Sequence, residues 1–449
     1  MQSFCHGTNY GWLAPVQPLL LSTDNPVGEW PMTEEDTSMA GSIISIAACL
    51  AVPAFTHLGN TGSRKMAGYL AWLPLLPGWL LIVFARSQNM LLVGRFVAGL
   101  NCGSTASMML LVNEISEDSI RGELCTFGNL FFNAGVLFSY VVGSYFSYRT
   151  FGLACLGASL IFLTGFYFIP ESPYYLMELG KTSEAKKSLQ WYWGKNNPNI
   201  EEELGKILKR INEIEPLRWS NIVEAFSAPG AVKSLFIGIA LCINAHFCGL
   251  TAIISYSVKI FQESGTNMSP YGATILVGAL RFASIYFTGI VVDRVGRKVL
   301  LIASNVIMTV SLLVLGGYFF IRQTSDVGGY GWVPVVCICT FIISVSFGVG
   351  SLTFVMVTEL FSFKIRSVAT MICHCLLSFN VFVVVRTFPV MKDTLTLPGC
   401  YWFYASVCAV GVLFAYFCVP ETKNRSLESI QAQISGRVKT SNRYKQEDN

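Results

Sequence analysis

The amino-acid sequence predicts an all-α membrane protein with twelve transmembrane helices in two pseudo-symmetric six-helix halves. Composition gives the first reason, because 53% of the 449 residues are hydrophobic and only 13% are charged. A soluble domain carries about 25% charged residues. The second reason is a series of apolar segments of about 20 residues, the length at which an α-helix crosses a bilayer. The third is an internal repeat of short motifs, which divides the chain into two similar parts.

Three short motifs each occur twice, in the same order and after corresponding apolar segments of the two halves. Such a repeat indicates the duplication of a membrane unit. Duplicated membrane units are typical of secondary transporters, which hold a substrate between their two halves. The pairs are Glu114-x6-Arg121 with Glu359-x6-Arg366, Arg64-Lys65 with Arg297-Lys298, and Pro170-Glu171-Ser172 with Pro420-Glu421-Thr422.

Hydropathy places the elements in chain order. The first predicted span is the weakest, because it contains His6, Thr8 and Asn9 and lacks the cytosolic segment that normally precedes a first span, which suggests a shortened N-terminus. Between the halves, residues 173–232 form a cytosolic linker with two amphipathic helices, Ser183 to Lys195 and Ile200 to Ile214. Residues 431–449 form a cytosolic tail. The predicted spans are 1–22, 39–58, 66–85, 90–112, 125–147 and 149–169 in the N-terminal half (1–172), and 233–258, 268–292, 298–321, 331–358, 368–388 and 399–419 in the C-terminal half (233–430).

Basic residues predict the orientation of the chain. Most Lys and Arg residues follow spans 2, 4, 6, 8 and 10 or lie in the tail, whereas residues 23–38 hold five acidic residues and no basic one. Because basic loops stay in the cytosol, the sequence predicts a multi-pass plasma-membrane protein with both termini cytosolic. We expect a monomer whose partners are the lipid bilayer and a small polar solute. The net charge of +4 is too small to indicate nucleic-acid binding.

The sequence contains no pattern typical of an enzyme or of a metal site. It has no phosphate-binding loop and no arrangement of a nucleophile with a base. The fourteen cysteines lie mostly inside apolar segments and are not spaced as metal ligands, so we expect them to be small buried apolar residues. We therefore expect no enzymatic activity, no cofactor and no resident metal.

Charged residues at the cytosolic ends of the spans form a candidate gating network. The loop from Asp293 to Lys298 is short, and Gly296 permits its turn. Its charges can pair with Glu359 and Arg366, and such an ion cluster can form in one conformation and break in another. The alternative is a basic loop that only sets the topology. The predicted network consists of Glu114, Arg121, Glu171, Asp293, Arg294, Arg297, Glu359, Arg366 and Glu421.

Seven motifs follow one another along essentially the whole chain: Gly7-Thr8-x2-Gly11-Trp12-x2-Pro15, Gly94-Arg95-x3-Gly99, Glu114-x6-Arg121-Gly122, Pro170-Glu171-Ser172-Pro173, Asp293-Arg294-x-Gly296-Arg297-Lys298, Glu359-Leu360-Phe361-x4-Arg366 and Pro420-Glu421-Thr422. Together they resemble the sugar porter family of the major facilitator superfamily, and within it the insect facilitated trehalose transporter-like proteins. The resemblance implies a major facilitator fold. It also implies a facilitative transporter of a small polar solute, most of all a sugar of the trehalose or hexose type, that works by alternating access.

The chain departs from the family at positions where sugar porters use amides to bind sugar hydroxyls. The Gln-Gln pair of span 7 falls on Ala245 and His246, and the Asn that follows falls on Thr251. In span 8, Arg281 stands where the family usually has Asn or Gln. Two alternatives therefore stay open, an organic-anion carrier on a sugar porter skeleton and a non-transporting nutrient sensor or receptor. The predicted substrate-binding residues are Thr8, Asn129, His246, Thr251, Tyr256, Arg281, Phe354 and Asn380.

Several polar residues inside the predicted spans need an explanation. Arg281 should face the bundle interior or a water-filled cavity, where it either anchors the solute or is satisfied by backbone carbonyls and water. Arg95 should snorkel to the membrane surface or cap a neighbouring helix. Histidine side chains can titrate near neutrality, which makes His6 and His246 candidate proton carriers, but no Asp or Glu lies in a span interior, so we expect passive facilitation rather than proton coupling. Asn267-Met268-Ser269 is a candidate glycosylation sequon in a short outer loop.

Overall fold

The computed structural model describes residues 2–117, 120–213, 230–325, 328–361, 365–423, 425 and 427–434. Every regular element within these ranges is a helix, and ten helices are long and apolar enough to cross a membrane. Helices suit this role because they satisfy their backbone hydrogen bonds internally. We call the end of the bundle that carries residues 170–213 the linker end, and the end that carries residues 23–33 the opposite end.

The described part of the N-terminal half contains eight α-helices, several of which begin at a side-chain cap. Thr33 and Asp36 form a capping box at the start of α3, and Ser63, Ser87 and Ser147 each accept a backbone hydrogen bond at the start of a later helix. The helices are α1 (Gln2–Gly11), α2 (Leu13–Leu20), α3 (Glu34–Thr61), α4 (Arg64–Val83), α5 (Gln88–Leu100), α6 (Thr105–Ile115), α7 (Arg121–Tyr145) and α8 (Tyr148–Tyr167).

The linker forms a small helical cluster on the N-terminal half. Its helices are α9 (Pro173–Glu178), α10 (Thr182–Trp193) and α11 (Ile200–Glu213). The last two coincide with the predicted amphipathic helices to within about two residues, and α10 ends at Gly194, whose φ is 91°. Trp193 donates from Nε1 to the carbonyl of Ile115 at 2.8 Å, which attaches the cluster to α6.

Nine α-helices lie in the described residues of the C-terminal half. One of them, α19, is 52 residues long and covers two predicted spans with a bend at Thr396, whose φ is 63°. This merging, together with the short helices α1 and α2, accounts for ten long helices where twelve spans are predicted, and the number twelve stays a prediction. The helices are α12 (Ala231–Phe247), α13 (Leu250–Ser255), α14 (Ser257–Ser264), α15 (Pro270–Val295), α16 (Arg297–Arg322), α17 (Val333–Phe347), α18 (Val349–Leu360), α19 (Arg366–Phe417) and α20 (Leu427–Ile434).

Predicted spans 1, 4, 7 and 10 are interrupted, whereas hydropathy predicts each as continuous. In span 1, Pro15 cannot donate to the carbonyl of Gly11. Span 4 contains a 3₁₀ turn over Asn101–Ser104. Span 7 breaks at Gly249, whose φ is 93°, and span 10 breaks at Gly348. Hydropathy does not reveal these breaks, because single helix-breaking residues do not lower the hydropathy of a window.

The two halves meet mainly along α3 with α19, α7 with α15 and α2 with α14, and α13 also contacts α1 and α2. Within the N-terminal half, small residues on α5 and the turn after it permit a close approach to α3. A Cβ on Gly99 would fall near the backbone of Ile44, and one on Gly103 would fall on Ala51. Small residues four positions apart thus form a helix contact face here.

Arg95 is fully buried inside the N-terminal half. Its Nε donates to the carbonyl of Ala40 at 3.0 Å, and its Nη2 donates to the carbonyl of Asn9 at 3.1 Å. The guanidinium also lies over the Trp12 ring at 4.4 Å from the centroid. Of the two expectations for Arg95, capping of neighbouring helices is the observed one and snorkelling is wrong, because the carbonyls within reach replace water.

Gly135 marks a close approach of α1 to α7, because a Cβ there would fall on the carbonyl oxygen of Phe4. We expect Gly135→Ala to lower the melting temperature of the detergent-purified protein by several degrees. Gly157→Ala is the matched control, since nothing lies within 4 Å of a Cβ at that position. Equal melting temperatures of the two variants would contradict this packing.

Candidate functional site

Five polar side chains meet between the two halves: Tyr10 of α1, Tyr140 of α7, His246 of α12, Thr251 of α13 and Arg281 of α15. We call them the central cluster. The Tyr10 hydroxyl donates to Thr251 Oγ1 at 3.0 Å, and His246 Nδ1 lies 2.9 Å from the same oxygen. The Tyr140 hydroxyl donates to the carbonyl of Ile254 at 2.8 Å. These hydrogen bonds join the N-terminal half directly to the C-terminal half.

The break in span 7 brings His246 and Thr251 together. Gly249 adopts a left-handed conformation between α12 and α13, which residues with a side chain rarely adopt. A Cβ at this position would also fall on the ring of Tyr404. The turn therefore requires glycine, and it directs side chains from the end of α12 and the start of α13 to one point.

Arg281 lies on α15 with its side chain partly accessible and its Nη1 atom buried without a hydrogen-bond partner. No Asp or Glu among the described residues forms an ion pair with it. The groups that interact electrostatically with Arg281 include Tyr10, Tyr140 and Cys248, which carry no negative charge at neutral pH. A buried donor without an acceptor is unfavourable. Arg281 is therefore able to donate to the acceptor oxygens of a bound molecule.

Three predicted substrate-binding residues use a polar group within their own half. The hydroxyl of Thr8 donates to the carbonyl of Cys5 at 2.8 Å, and that of Tyr256 donates to the carbonyl of Val385 at 2.7 Å. Asn380 donates from Nδ2 to the carbonyl of Cys242 at 3.0 Å. Contacts of these groups with a solute stay a prediction, since each donor already has a backbone acceptor.

Asn129 and Phe354 also lie outside the central cluster. The side chain of Asn133, one turn further along α7, donates to the carbonyl of Asn129 at 2.8 Å and to its Oδ1 at 3.2 Å. The Phe354 ring is half exposed and lies 6.0 Å from the ring of His374. Of the predicted binding residues, the structure therefore brings His246, Thr251 and Arg281 together.

Sequence reasoning missed Tyr10 and Tyr140. Tyr140 lies about three helical turns after Asn129, so the two residues share one face of α7. That spacing is a signal that could have found it. Tyr10 carries no such signal, because its contact with Thr251 depends on how α1 packs against α13.

At the linker end of the N-terminal half, Arg64 is the centre of an ion network. Its guanidinium donates to Glu114 at 3.0 to 3.2 Å and to Glu178 at 3.3 Å. Glu171 accepts hydrogen bonds from the backbone of Lys65 at 3.1 Å and from the hydroxyl of Ser63. The network joins the ends of α4, α6 and α9, so it holds two helices of the N-terminal half and the first helix of the linker together.

The C-terminal half repeats this arrangement. Arg297 pairs with Glu359 at 3.6 Å, as Arg64 pairs with Glu114. Glu421 accepts from the backbone of Arg297 and Lys298, both at 3.1 Å, as Glu171 accepts from Lys65. The motif repeat in the sequence thus corresponds to a repeated three-dimensional network.

The remaining predicted gating residues lie near this network or outside the described residues. Arg294 is exposed at the end of α15, and its carbonyl accepts from Lys423 at 2.7 Å. Arg366 donates to the carbonyl of Phe361 at 3.3 Å. The side chains of Arg121 and Asp293 lie outside the described part of the structure. At the linker end, no ion pair between described residues joins one half to the other, and a role in gating stays a prediction.

Glu421 has a distinct electrostatic environment. Burial raises the pKa of its carboxyl, but backbone amides of Lys423, Lys298, Arg297 and Thr422 lower that pKa more, so it lies below its ordinary value. The carboxylate is therefore the form that stabilises this helix junction.

Comparisons with known proteins agree with this architecture. Residues 1–433 match the family described as "Sugar (and other) transporter". That match covers both halves and the linker. The chain belongs to this family. The expectation that it is not an enzyme is confirmed, because the family and its relatives are transporters.

Curated relatives extend over nearly the whole chain. It is 32% identical over 446 residues to the facilitated trehalose transporter Tret1 of Apis mellifera ligustica, with 98% of this chain and 87% of the relative covered. It is 32% identical to Tret1 of Polypedilum vanderplanki over 438 residues, with 95% and 85% covered. Tret1 of Aedes aegypti is 31% identical over 435 residues, which are 95% of this chain and 53% of that relative. The predicted resemblance to insect facilitated trehalose transporters is therefore confirmed.

Solved structures confirm the predicted fold class. The inward open conformation of the xylose transporter XylE from E. coli superposes with a TM-score of 0.78 at 20% identity, covering 96% of this chain and 98% of XylE. The major facilitator proton:xylose symporter XylE bound to 6-bromo-6-deoxy-D-glucose gives a TM-score of 0.75 at 21% identity, covering 96% and 97%. The chain therefore has the major facilitator fold of a multi-pass membrane transporter.

The environment of Glu421 predicts a pH-dependent stability. Because the pKa of the folded state lies below that of the unfolded state, about 4.3 for Glu, the stabilisation is present above that pH and is lost as the pH falls through the folded-state pKa. We expect Glu421→Gln to lower the melting temperature at pH 7 and to reduce the further loss on acidification from pH 5 towards pH 3.

Melting curves of detergent-purified protein between pH 7 and pH 3 provide the measurement. Glu29→Gln is the control, since Glu29 is exposed at the opposite end. If the Glu421→Gln curve runs parallel to that of the wild type, the carboxylate does not stabilise the junction.

Proposed function

We propose that this chain is a facilitative transporter that carries a neutral sugar across the plasma membrane as a monomer. The linker end faces the cytosol, and the two halves rock about a solute bound at the central cluster. The observation that carries the proposal is the cluster itself, in which polar side chains of both halves meet inside a chain of the sugar transporter family. A solute bound there contacts both halves, so its binding favours their movement as two bodies.

The chemistry of the central cluster suits a molecule rich in hydroxyls. Tyr10 and Thr251 can each donate and accept a hydrogen bond, and His246 offers a ring nitrogen. Arg281 adds donors in a fixed plane. The relatives in Apis mellifera and Polypedilum vanderplanki are facilitated trehalose transporters, so a disaccharide or hexose is the first solute class that we propose.

Passive transport is the mode that we propose. The central cluster contains a cation and a histidine but no acidic side chain, and a buried carboxylate is the usual proton carrier of a membrane pathway. His6, the other histidine considered, lies 3.4 Å from the hydroxyl of Thr105 through its Nδ1. A hydrogen-bonded position inside the N-terminal half favours a structural role for His6.

An organic-anion carrier is the second candidate, and one observation favours it. The Arg281 guanidinium has no carboxylate partner among the described residues, and its Nη1 has no acceptor. A carboxylate on the solute would supply both the negative charge and the hydrogen-bond acceptor. The sensor alternative has no comparable contact in its favour.

The linker-end networks support alternating access in a specific way. Each holds the helix ends of one half together, through Arg64 and Glu114 in one half and Arg297 and Glu359 in the other. We propose that they keep each half rigid while the halves move relative to each other. Rigid-body movement about a fixed site is the usual form of alternating access.

Replacement of Arg281 provides the test of the binding site. A hydrogen bond to a charged group contributes about 1.5–3 kcal/mol, which corresponds to about tenfold to hundredfold in affinity. We expect Arg281→Gln to reduce kcat/KM for the best solute by about this factor while surface delivery stays normal. The measurement is the initial rate of uptake of trehalose, glucose and gluconate into proteoliposomes.

Two variants make this experiment specific. Arg149→Gln makes the same change at an exposed position on α8 and should leave uptake unchanged. Arg281→Lys keeps the charge and should retain more activity than Arg281→Gln. A preference for gluconate over glucose that disappears in Arg281→Gln would favour the anion carrier, and normal uptake of every solute by Arg281→Gln would exclude Arg281 from the binding site.

A further inference from the structure

Ion pairs that join the two halves lie at the opposite end of the bundle. Glu34 of α3 pairs with Lys259 of α14. The next residue, Glu35, pairs with Arg386 of α19 at 3.6 Å. Arg386 also donates to the carbonyl of Glu35 at 3.3 Å and to the hydroxyl of Ser38 at 2.9 Å. Among the described residues, no other ion pair crosses between the halves.

A capped helix start positions the two carboxylates. They occupy the first turn of α3, directly after Thr33, which forms the capping box with Asp36. A capped first turn is ordered, and acidic residues are favoured there by the helix dipole. Glu34 and Glu35 are therefore held on a rigid element of the N-terminal half and do not lie on a loose loop.

The two cations lie on elements of the C-terminal half that are tied to each other. Lys392 of α19 pairs with Glu263 of α14 at 2.6 Å. Lys259 and Arg386 therefore lie on two different helices, α14 and α19, that this ion pair joins. The first turn of α3 in the N-terminal half thus forms ion pairs with two connected helices of the C-terminal half.

The degree of exposure suits a contact that opens and closes. The side chain of Lys259 is 15% exposed and that of Glu34 is 39% exposed. Pairs at this depth are weak and screened by salt, so they bias an equilibrium without locking it. A fully buried pair would be too unfavourable to separate on each transport cycle.

We propose that the pairs Glu34–Lys259 and Glu35–Arg386 form a latch that closes the opposite end of the transporter and breaks when that end opens. This inference rests on the proposed function, because it assigns the latch to one of the two states of alternating access. The linker end has no equivalent ion pair across the halves in the described ranges. There, Asn60 donates to the hydroxyl of Ser367 at 2.7 Å across the same pair of helices, α3 and α19.

The latch can be tested by reversing the charge of one of its residues and measuring hydrogen exchange of the purified protein in lipid nanodiscs. An exposed ion pair changes an equilibrium by up to about fivefold. We expect Lys259→Glu to speed exchange several-fold in peptides covering residues 34–42 and 257–264. The same variant should slow exchange at residues 56–61, because opening one end closes the other. Local fraying of α3 alone would not produce this reciprocal protection.

Restoring the ion pair with its two charges exchanged shows whether Glu34 and Lys259 act as partners. The double reversal Glu34→Lys with Lys259→Glu should return both regions to wild-type exchange, whereas Lys186→Glu, which breaks the exposed pair of Lys186 with Glu201 in the linker, should change neither. If Lys259→Glu fails to fold, Glu34→Gln with Glu35→Gln provides the same test, and high salt should imitate it.

Two outcomes overturn the latch: exchange at the opposite end that no variant changes, and acceleration there without protection at the linker end. Hydrogen exchange needs no solute, so these outcomes are distinct from a failure of the proposed function. Loss of the latch with normal sugar uptake would leave the transporter proposal standing, and an intact latch in a protein that moves no solute would reject transport alone.

Discussion

The exclusion of water from the bilayer core is the constraint on which the structure depends. Every backbone group must be satisfied within the chain, and every charge must reach an end of the bundle, a set of carbonyls or the surface between the halves. Arg64 and Arg297 pair with carboxylates at the linker end. Arg95 is buried but has two carbonyl acceptors. Arg281 has neither solution within the described ranges and lies between the halves, which is why we propose a binding role for it.

We propose three different tasks for the charged groups: networks around Arg64 and Arg297 keep each half rigid, the central cluster receives the solute, and the pairs of Glu34 and Glu35 bias which end is closed. The task of each ion pair depends on which helices it joins. Pairs within one half stabilise that half, and contacts between the halves form or break as the halves move. An interrupted helix helps to form the central cluster, because the turn at Gly249 brings His246 to Thr251.

Much of the fold and part of the site were predictable from the sequence. Hydropathy and the motif repeat indicated the helical halves, and Arg64-Lys65 with Arg297-Lys298 marked the two networks. The break at Gly249 was not predicted, because one glycine barely changes the hydropathy of a span. Tyr10 and the pair of Glu34 with Lys259 were missed for another reason. Their contacts join residues far apart in the chain, and only the packing of the halves brings them together.

A passive carrier of the kind proposed exposes one solute site to each end in turn. Counterflow measures this most directly: proteoliposomes preloaded with an unlabelled sugar are diluted into a trace of the labelled sugar. Passive alternating access predicts a transient accumulation of label with trehalose or a hexose that then decays to equilibrium, and the same time course under an imposed pH gradient. Absence of any overshoot across neutral sugars and gluconate would contradict a carrier, and sustained accumulation driven by the pH gradient would contradict passive transport.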